Sequence, residues 1–367
     1  MNIDKNSLDL IYLAGCAVRE EIPDRNRIEQ MDLDAVYQLA EWHTLTAAAG
    51  MALESAGVRT EKFTKGILLA QRKVALLDND RNQILSAMEE AGIWYMPLKG
   101  VILKELYPRF GMRQMVDNDI LFDRNRAEDL RRIMVGLGFT VKKYGHGAHD
   151  VYQKPPVSSF EMHRFLFHDF RNQNLEDYYK DVESRLLNVP GRQYEKCFSK
   201  EDFYLYITSH EYKHFSGGGT GLRSFLDIYV YLNKEKLDMD YIRKEAGKLQ
   251  IADFEEMNRV FSLKLFEEKE LTPEEEKLLE YICSSGTYGT ITNMVEKSVN
   301  KRGKFGYFFY RLFPPYDFMI KAYPILEKIP GLLPFLWIYR PFARLFSGRS
   351  IKRAVSEIKA LRKIDNP

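Results

Sequence analysis

Leu98-Lys99-Gly100-Val101-Ile102-Leu103, followed after a gap by Arg113 and then by Asp117-Asn118-Asp119-Ile120-Leu121, is the stretch on which the fold turns. Ahead of it, residues 93–96 form a short β-like run ended by Pro97. Lys99-Gly100 opens a short helical stretch over 101–106, stopped by Pro108 and Gly111. Residues 116–122 read as a second strand. Side chains alternate along a strand, so Asp117 and Asp119 project from one side. Two such carboxylates repel, and one pKa rises unless a cation lies between them. A pair of hard oxygen ligands at a strand end suits Mg²⁺, which takes one or two carboxylates plus phosphate oxygens. Gly100 lets backbone amides approach a phosphate at a helix start, and Lys99 or Arg113 supplies positive charge for the same phosphates. With 52 acids in 367 residues, about seven acid-x-acid pairs arise by chance. The spacing therefore gains meaning only from its place behind a strand–glycine–helix element; the competing reading is a solvated pair on an edge strand.

Working outward, residues 124–137 form a helix closed by Gly138, and 139–144, 151–153 and 158–165 read as further strands. This is a small mixed sheet of α+β type. Upstream, residues 1–91 read as helices, with 60–91 a long amphipathic one whose apolar face carries Ile67, Leu68, Val74, Leu77, Ile84, Leu85 and Met88. Downstream, the chain turns helical again at 174–187, 201–215, 221–234, 239–249, 253–269 and 273–283. The expected organisation is an N-terminal helical region (1–91), an α/β core (92–172), a helical domain (173–300) and a C-terminal segment (301–367).

Leu98-Lys99-Gly100…Leu103, Tyr107-Pro108, Arg113 and Asp117-x-Asp119 together resemble the signature of the nucleotidyltransferase superfamily, and in particular the bacterial group known as uncharacterised nucleotidyltransferases. The resemblance implies a polymerase-β-like fold and two Mg²⁺ ions, with Mn²⁺ as a substitute. It also implies a third carboxylate on a later strand. Glu161, in Ser159-Phe160-Glu161-Met162-His163, matches the family's acid-x-His segment; His163 then orients that carboxylate or touches a phosphate. By this resemblance Asp117, Asp119 and Glu161 are the catalytic and metal-binding residues, and Lys99, Gly100, Arg113 and His163 bind the nucleotide. The implied reaction moves NMP from an NTP to an acceptor hydroxyl on a small molecule, peptide, protein or tRNA. His210, His214, Arg223 and Asp227 resemble the family's helical domain. Val101 stands where the superfamily usually has Ser or Gly, leaving phosphate binding to backbone amides, Lys99 and Arg113. Asn118 stands where an apolar residue is usual, which keeps Asp119 with Asp123 open as an alternative pairing. These departures motivate a second reading, a non-catalytic nucleotide- or partner-binding module.

The remaining sequence narrows the classes. Lys and Arg number 54 against 52 acids, so net charge gives no reason to expect nucleic acid. Three separated cysteines, Cys16, Cys197 and Cys283, argue against a disulfide framework or zinc knuckle. With no signal-peptide pattern at the N-terminus, they lead us to expect a cytoplasmic protein. The apolar run 329–339 contains Pro330 and Pro334 and is too short to span a bilayer. His210 and His214 share a helix face but belong to no His-Glu-x-x-His motif, and no Gly-x-Ser-x-Gly elbow occurs. Gly217–Gly221 lacks the ending of a phosphate loop and reads as a flexible connector. From residue 301 onward, 14 Lys and Arg face four acids amid many aromatics. The expectation is that short, proline-broken helices bury Phe313, Leu326, Ile329, Phe335, Ile338 and their neighbours on the body. A membrane-surface or nucleic-acid role is the alternative.

Overall fold

The computed structural model describes residues 3–168, 172–287, 290–345, 356–357 and 360–361. Helices α1 (Lys5–Arg19), α2 (Arg25–Glu29), α3 (Leu33–Trp42) and α4 (Thr46–Ser55) build an N-terminal cluster. Helix α5 (Glu61–Glu90) runs from this cluster to the sheet. Thr60 caps its start by accepting from the Phe63 amide, and Gly92, at φ 65°, turns the chain out of its end. It buries Ile67, Val74, Leu77, Ile84 and Met88, while Leu68, expected on the same face, is exposed.

The sheet has five strands: β1 (Tyr95–Pro97), β2 (Asn118–Phe122), β3 (Thr140–Lys143), β4 (His149–Lys154) and β5 (Ser158–His163). Their order is β1-β2-β5-β4-β3, with β2 and β5 parallel and the other pairs antiparallel. The α+β class expected from the sequence is thus the observed one. Helix α6 (Gly100–Leu103) follows β1, and α7 (Ala127–Gly136) follows β2. Ile120, Phe122, Phe160, Met162 and Tyr152 pack on Ile84, Met88, Leu130 and Met134 of α5 and α7. Strand alternation then turns Asp119, Glu161, His163 and His149 to the other side.

The second helical part comprises α8 (Gln173–Tyr179), α9 (Lys200–Gly217), α10 (Leu222–Lys234), α11 (Met239–Lys248), α12 (Ala252–Phe266) and α13 (Pro273–Ser285); α8–α11 share a core with that side, while α12 and α13 pack with the N-terminal helices. A short hairpin, β6 (Leu187–Asn188) with β7 (Lys196–Cys197), interrupts it and was not expected. Met96, Leu98 and Leu121 share a core with Tyr204, Tyr206 and Ile228 of α9 and α10. Gly217–Gly221 is a close-packed connector rather than a flexible one. A Cβ at Gly221 would lie 2.7 Å from the Gly286 backbone.

The C-terminal segment forms the expected short helices: α14 (Ile291–Leu312), broken at Gly303, then α15 (Tyr316–Ala322), α16 (Ile325–Lys328) and α17 (Leu333–Leu345). The expected burial is only partly found. Leu326 is buried, but Phe313, Ile329, Phe335 and Ile338 are exposed, as are Phe305, Phe309 and Tyr339. Val295, Val299, Tyr307 and Ala360 make a small core separate from the others. The rest of the expected segment, 346–355, 358–359 and 362–367, lies outside the described residues. No helix among the described residues is long and apolar enough to cross a membrane.

One buried ion pair ties sheet to helices. Arg113 Nε donates to Asp227 Oδ1 at 2.7 Å and Arg113 Nη2 to Oδ2 at 2.8 Å, while the Tyr107 hydroxyl donates to Oδ1 at 2.7 Å. All three residues are buried. Removing one partner strands the other charge in a dry environment, so Asp227→Leu and Arg113→Met should each cost about 3–5 kcal/mol in denaturant unfolding of the full chain. The double variant should recover a large part of that loss. Additive losses in the double variant would show that the two side chains act independently.

Candidate functional site

The turn between β1 and α6 carries the first functional side chain. Lys99 adopts φ 44° and ψ −117°, a region L-residues rarely enter and one that costs about 1–3 kcal/mol. It sends its ammonium to Asp119 Oδ1 at 2.8 Å. Gly100 is required by packing: a Cβ there would meet Arg113 Nη1 at 2.5 Å and Met115 Sδ at 2.8 Å. Val101, in place of the expected hydroxyl, packs against Val74, Leu77 and Met115. The amides of Val101 and Ile102 donate to the carbonyls of Leu98 and Lys99. Those two amides serve the turn itself, so the charge for phosphates falls to side chains.

Asn118 explains the register. It is fully buried, its Oδ1 accepts from Arg81 Nη1 at 3.1 Å, and its Nδ2 donates to the Leu77 carbonyl at 3.4 Å. A polar residue thus fills the inward side of β2 because α5 offers it partners there. Asp119 therefore faces the opposite way, with Asp117 just before the strand. Asp123 lies about 13 Å further along the chain direction and caps a short 3₁₀ turn by accepting from the Asn125 amide. The alternative pairing of Asp119 with Asp123 is thereby set aside.

On the parallel neighbour, Glu161 stands directly beside Asp119. His163, opposite Leu121, reaches across so that its Nε2 lies 2.7 Å from Asp119 Oδ1. Burial, Asp119 and Glu161 together push Asp117 up to about 6 against the pull of Lys99 and Arg223. Burial also opposes ionisation of Asp119, but Lys99 and the His163 hydrogen bond outweigh it and hold that carboxyl below its usual range. Burial and Asp119 raise Glu161. One ionised aspartate compensated by a lysine, next to two carboxyls held high, is an arrangement that an added cation would relieve.

Arg113, expected at the phosphates, is instead committed to Asp227, and its influence on the site runs through Gly100. Residues that sequence reasoning did not assign surround the acids. Lys73 of α5 and Arg223 of α10 both act on Asp117. Lys143 and Lys213 lower the pKa of Glu161. Tyr206 and His210 of α9 sense Asp119 with Glu161, and Lys99 with His163, respectively. His149, on β4 opposite His163, has Nε2 3.5 Å from Glu161 Oε2. Lys73 gives no signal in the sequence, since it sits unremarkably between apolar positions of a long helix. The site lies between the acid-bearing face of the sheet and helix α9.

A family model described as "Uncharacterised nucleotidyltransferase" matches residues 29–267. No curated protein matches the chain. Among solved structures, the chain is similar to an antigenic nucleotidyltransferase-like protein from Paracoccidioides brasiliensis. That similarity has 16% identity and a TM-score of 0.34, over 53% of this chain and 94% of that one.

Asp117 gives a measurable handle. Its folded pKa of about 6 exceeds the unfolded value of 3.8. Its charge therefore costs stability that grows as pH rises from about 4 to about 6 and is fully present above that window. Asp117→Asn should raise the melting temperature by about 2–5 °C at pH 8 and change it little at pH 4. Added Mg²⁺ should raise the melting temperature of the unmodified chain more than that of the variant. Equal shifts with Mg²⁺ would remove Asp117 from any cation site.

Proposed function

Because the chain belongs to the uncharacterised nucleotidyltransferase family, matched from the end of α2 through α12, we propose that it transfers NMP from an NTP to an acceptor hydroxyl and releases pyrophosphate. The observation that carries this reading is the juxtaposition of Asp117, Asp119 and Glu161 on one side of adjacent strands with Lys99 in contact. The residues present fit divalent cations, because the donors are hard carboxylate oxygens whose mutual repulsion only Lys99 and its neighbours now offset. Asp117, Asp119 and Glu161 would hold such ions, two Mg²⁺ or Mn²⁺. When bound, they would neutralise triphosphate charge and lower the pKa of the acceptor hydroxyl.

The chain's own groups supply the rest. Lys99, Lys73, Arg223 and Lys213 set positive charge around the acids, where a triphosphate needs it. His163 orients Asp119 through its 2.7 Å contact, and Glu161 stands ready to accept the acceptor's proton. Helix α9 lies over this face of the sheet, and its Tyr206 and His210 help keep water from the reacting groups. The Lys99 ammonium is held at Asp119 by their 2.8 Å charge-assisted contact.

The test is incubation of the full chain with each NTP and Mg²⁺ and pools of hydroxyl acceptors, read as pyrophosphate release and as a mass gain of one NMP. Asp119→Asn should reduce transfer by at least about 10³-fold while the chain stays folded. Turnover retained in Asp119→Asn would overturn the assignment. Metal-dependent NTP binding without pyrophosphate release from any acceptor pool would favour the non-catalytic binding module.

A second reading, compatible with the first, comes from the C-terminal segment. Phe305, Phe309 and Phe313 recur at helical spacing along α14 and its end, as do Phe335, Ile338 and Tyr339 on α17, and all are exposed, Phe305 at 84% and Phe335 at 70%. Ring contacts of 6.0 Å and 5.6 Å run from Phe309 through Phe313 to Trp337 and join the two helices. These exposed aromatics fit the acyl boundary of a bilayer, and the sequence from 301 to the end, with 14 basic against four acidic residues, favours an anionic one. The full chain should co-sediment with phosphatidylserine vesicles, less so at high salt, and the Phe305→Ser/Phe309→Ser variant should lose most binding. Failure to bind vesicles, or preference for a single-stranded oligonucleotide over them, would overturn this reading.

A further inference from the structure

His149 begins β4 and stands opposite His163 across the antiparallel β4–β5 ladder, while Glu161 precedes His163 by two residues on the same face of β5. His149 Nε2 lies 3.5 Å from Glu161 Oε2, and His163 Nε2 lies 3.8 Å from that same oxygen. The two imidazole centroids are 5.0 Å apart. One donor atom from each residue can be chosen so that all three lie within 4.8 Å of one another.

These separations discriminate between two explanations. A hydrogen-bonded network would bring nitrogen and oxygen to about 2.7–3.2 Å, and neither contact to Glu161 reaches that. Ligands held at about 2.0–2.2 Å from a shared ion sit about 3–4 Å from each other; both histidine nitrogens stand at that distance from Glu161 Oε2, and all three donors lie within 4.8 Å. The donors come from adjacent strands, so backbone pairing rather than loop conformation holds them apart. His149 and Glu161 are partly open to solvent, at 26% and 28% of their side-chain area, which provides an entry path. His163 Nε2 already sits 2.7 Å from Asp119 Oδ1, and Lys99 remains on Asp119 when that nitrogen turns to an ion.

We propose that His149, Glu161 and His163 form a transition-metal site with two imidazole nitrogens and one carboxylate oxygen, beside the carboxylate pair of Asp117 and Asp119. Two nitrogens and one oxygen suit a borderline ion such as Zn²⁺ or Co²⁺, whereas Mg²⁺ prefers oxygen donors alone. One of the two cation positions is then chemically different from the other. The inference stands on these three side chains and does not depend on transfer activity.

The test uses the full chain stripped with chelator and titrated with Co²⁺, followed by visible ligand-field absorption and elemental analysis. We expect about one tightly held equivalent, displaced by Zn²⁺ but not by excess Mg²⁺. With Mn²⁺, pulsed EPR should report coupling to imidazole nitrogen. His149→Ala should weaken Co²⁺ binding at least about tenfold and remove one nitrogen coupling, while Asp123→Asn, outside the site, leaves both readouts unchanged. His149→Gln, which keeps the side chain's bulk, controls for loss of folding, checked by circular dichroism. Equal Co²⁺ affinity in the unmodified chain and both His149 variants, absence of nitrogen coupling, or displacement by Mg²⁺ would overturn the proposal. Loss of pyrophosphate release with intact Co²⁺ binding would count against the transferase reading alone.

Discussion

The ion pair between Arg113 and Asp227 sets the position of almost everything that matters in this protein. Asp227 comes from α10, Arg113 from the loop ahead of β2, and their bidentate contact is buried together with the Tyr107 hydroxyl. The guanidinium lies so close to Gly100 that any side chain there would collide with it. The glycine that a sequence reading gives to phosphate approach is thus needed first by an arginine. The start of α6, and with it the Lys99 turn, rests on a charge pair that fastens the helical part to the sheet. A buried pair of this kind adds little to stability over a well-packed apolar substitute. What it adds here is orientation, since only one geometry satisfies a planar guanidinium, a carboxylate and a phenol together.

That orientation supports an electrostatically unbalanced site. Three carboxyl groups face one side of the sheet, and a single close ammonium answers them. Lys99 reaches Asp119 only through a backbone conformation that costs free energy. The expense is reasonable if the acids need a partner until a cation arrives, because an uncompensated trio would each resist ionisation. The ring of more distant cations, Lys73, Arg223 and Lys213, then has two duties. It moderates the acids, and under the proposed function it would also face a polyanion.

Much of this was legible in the sequence, and the parts that were not share a cause. The α5 helix, the succession of strands along the chain and the α9–α13 helices follow from apolar period and from glycine and proline punctuation, which are local signals, whereas the order of strands within the sheet is not a local property. Asp117 with Asp119, and Glu161 with His163, were expected to share a face because strand alternation is local too, whereas joining Glu161 to the two aspartates rested on the family resemblance. Arg113 was expected at the phosphates because its partner, Asp227, lies far away in the chain and nothing local announces the pairing. His149 was missed because β4 was expected to start at residue 151, which left the histidine in a loop. The tail was expected to bury its aromatics because burial energies favour it, yet Phe305 and Phe335 stand in solvent. Apolar content predicts that a surface will be covered, but not by what.

Asn118 shows how a buried amide on the inward side of a strand can be accommodated without disturbing the acids beside it. An amide at an apolar position would cost about 1–3 kcal/mol if left unsatisfied. Here α5 supplies a guanidinium on one side and a carbonyl on the other. The same Arg81 is held by Asp78, which also receives Lys104 from the turn after α6. The polar network therefore links α5, the α6 turn and β2 behind the carboxylates. Val101 works in the same direction, adding a methyl-rich contact to Val74 and Leu77. Both side chains tie the elements that carry Lys99 and Asp119 to α5.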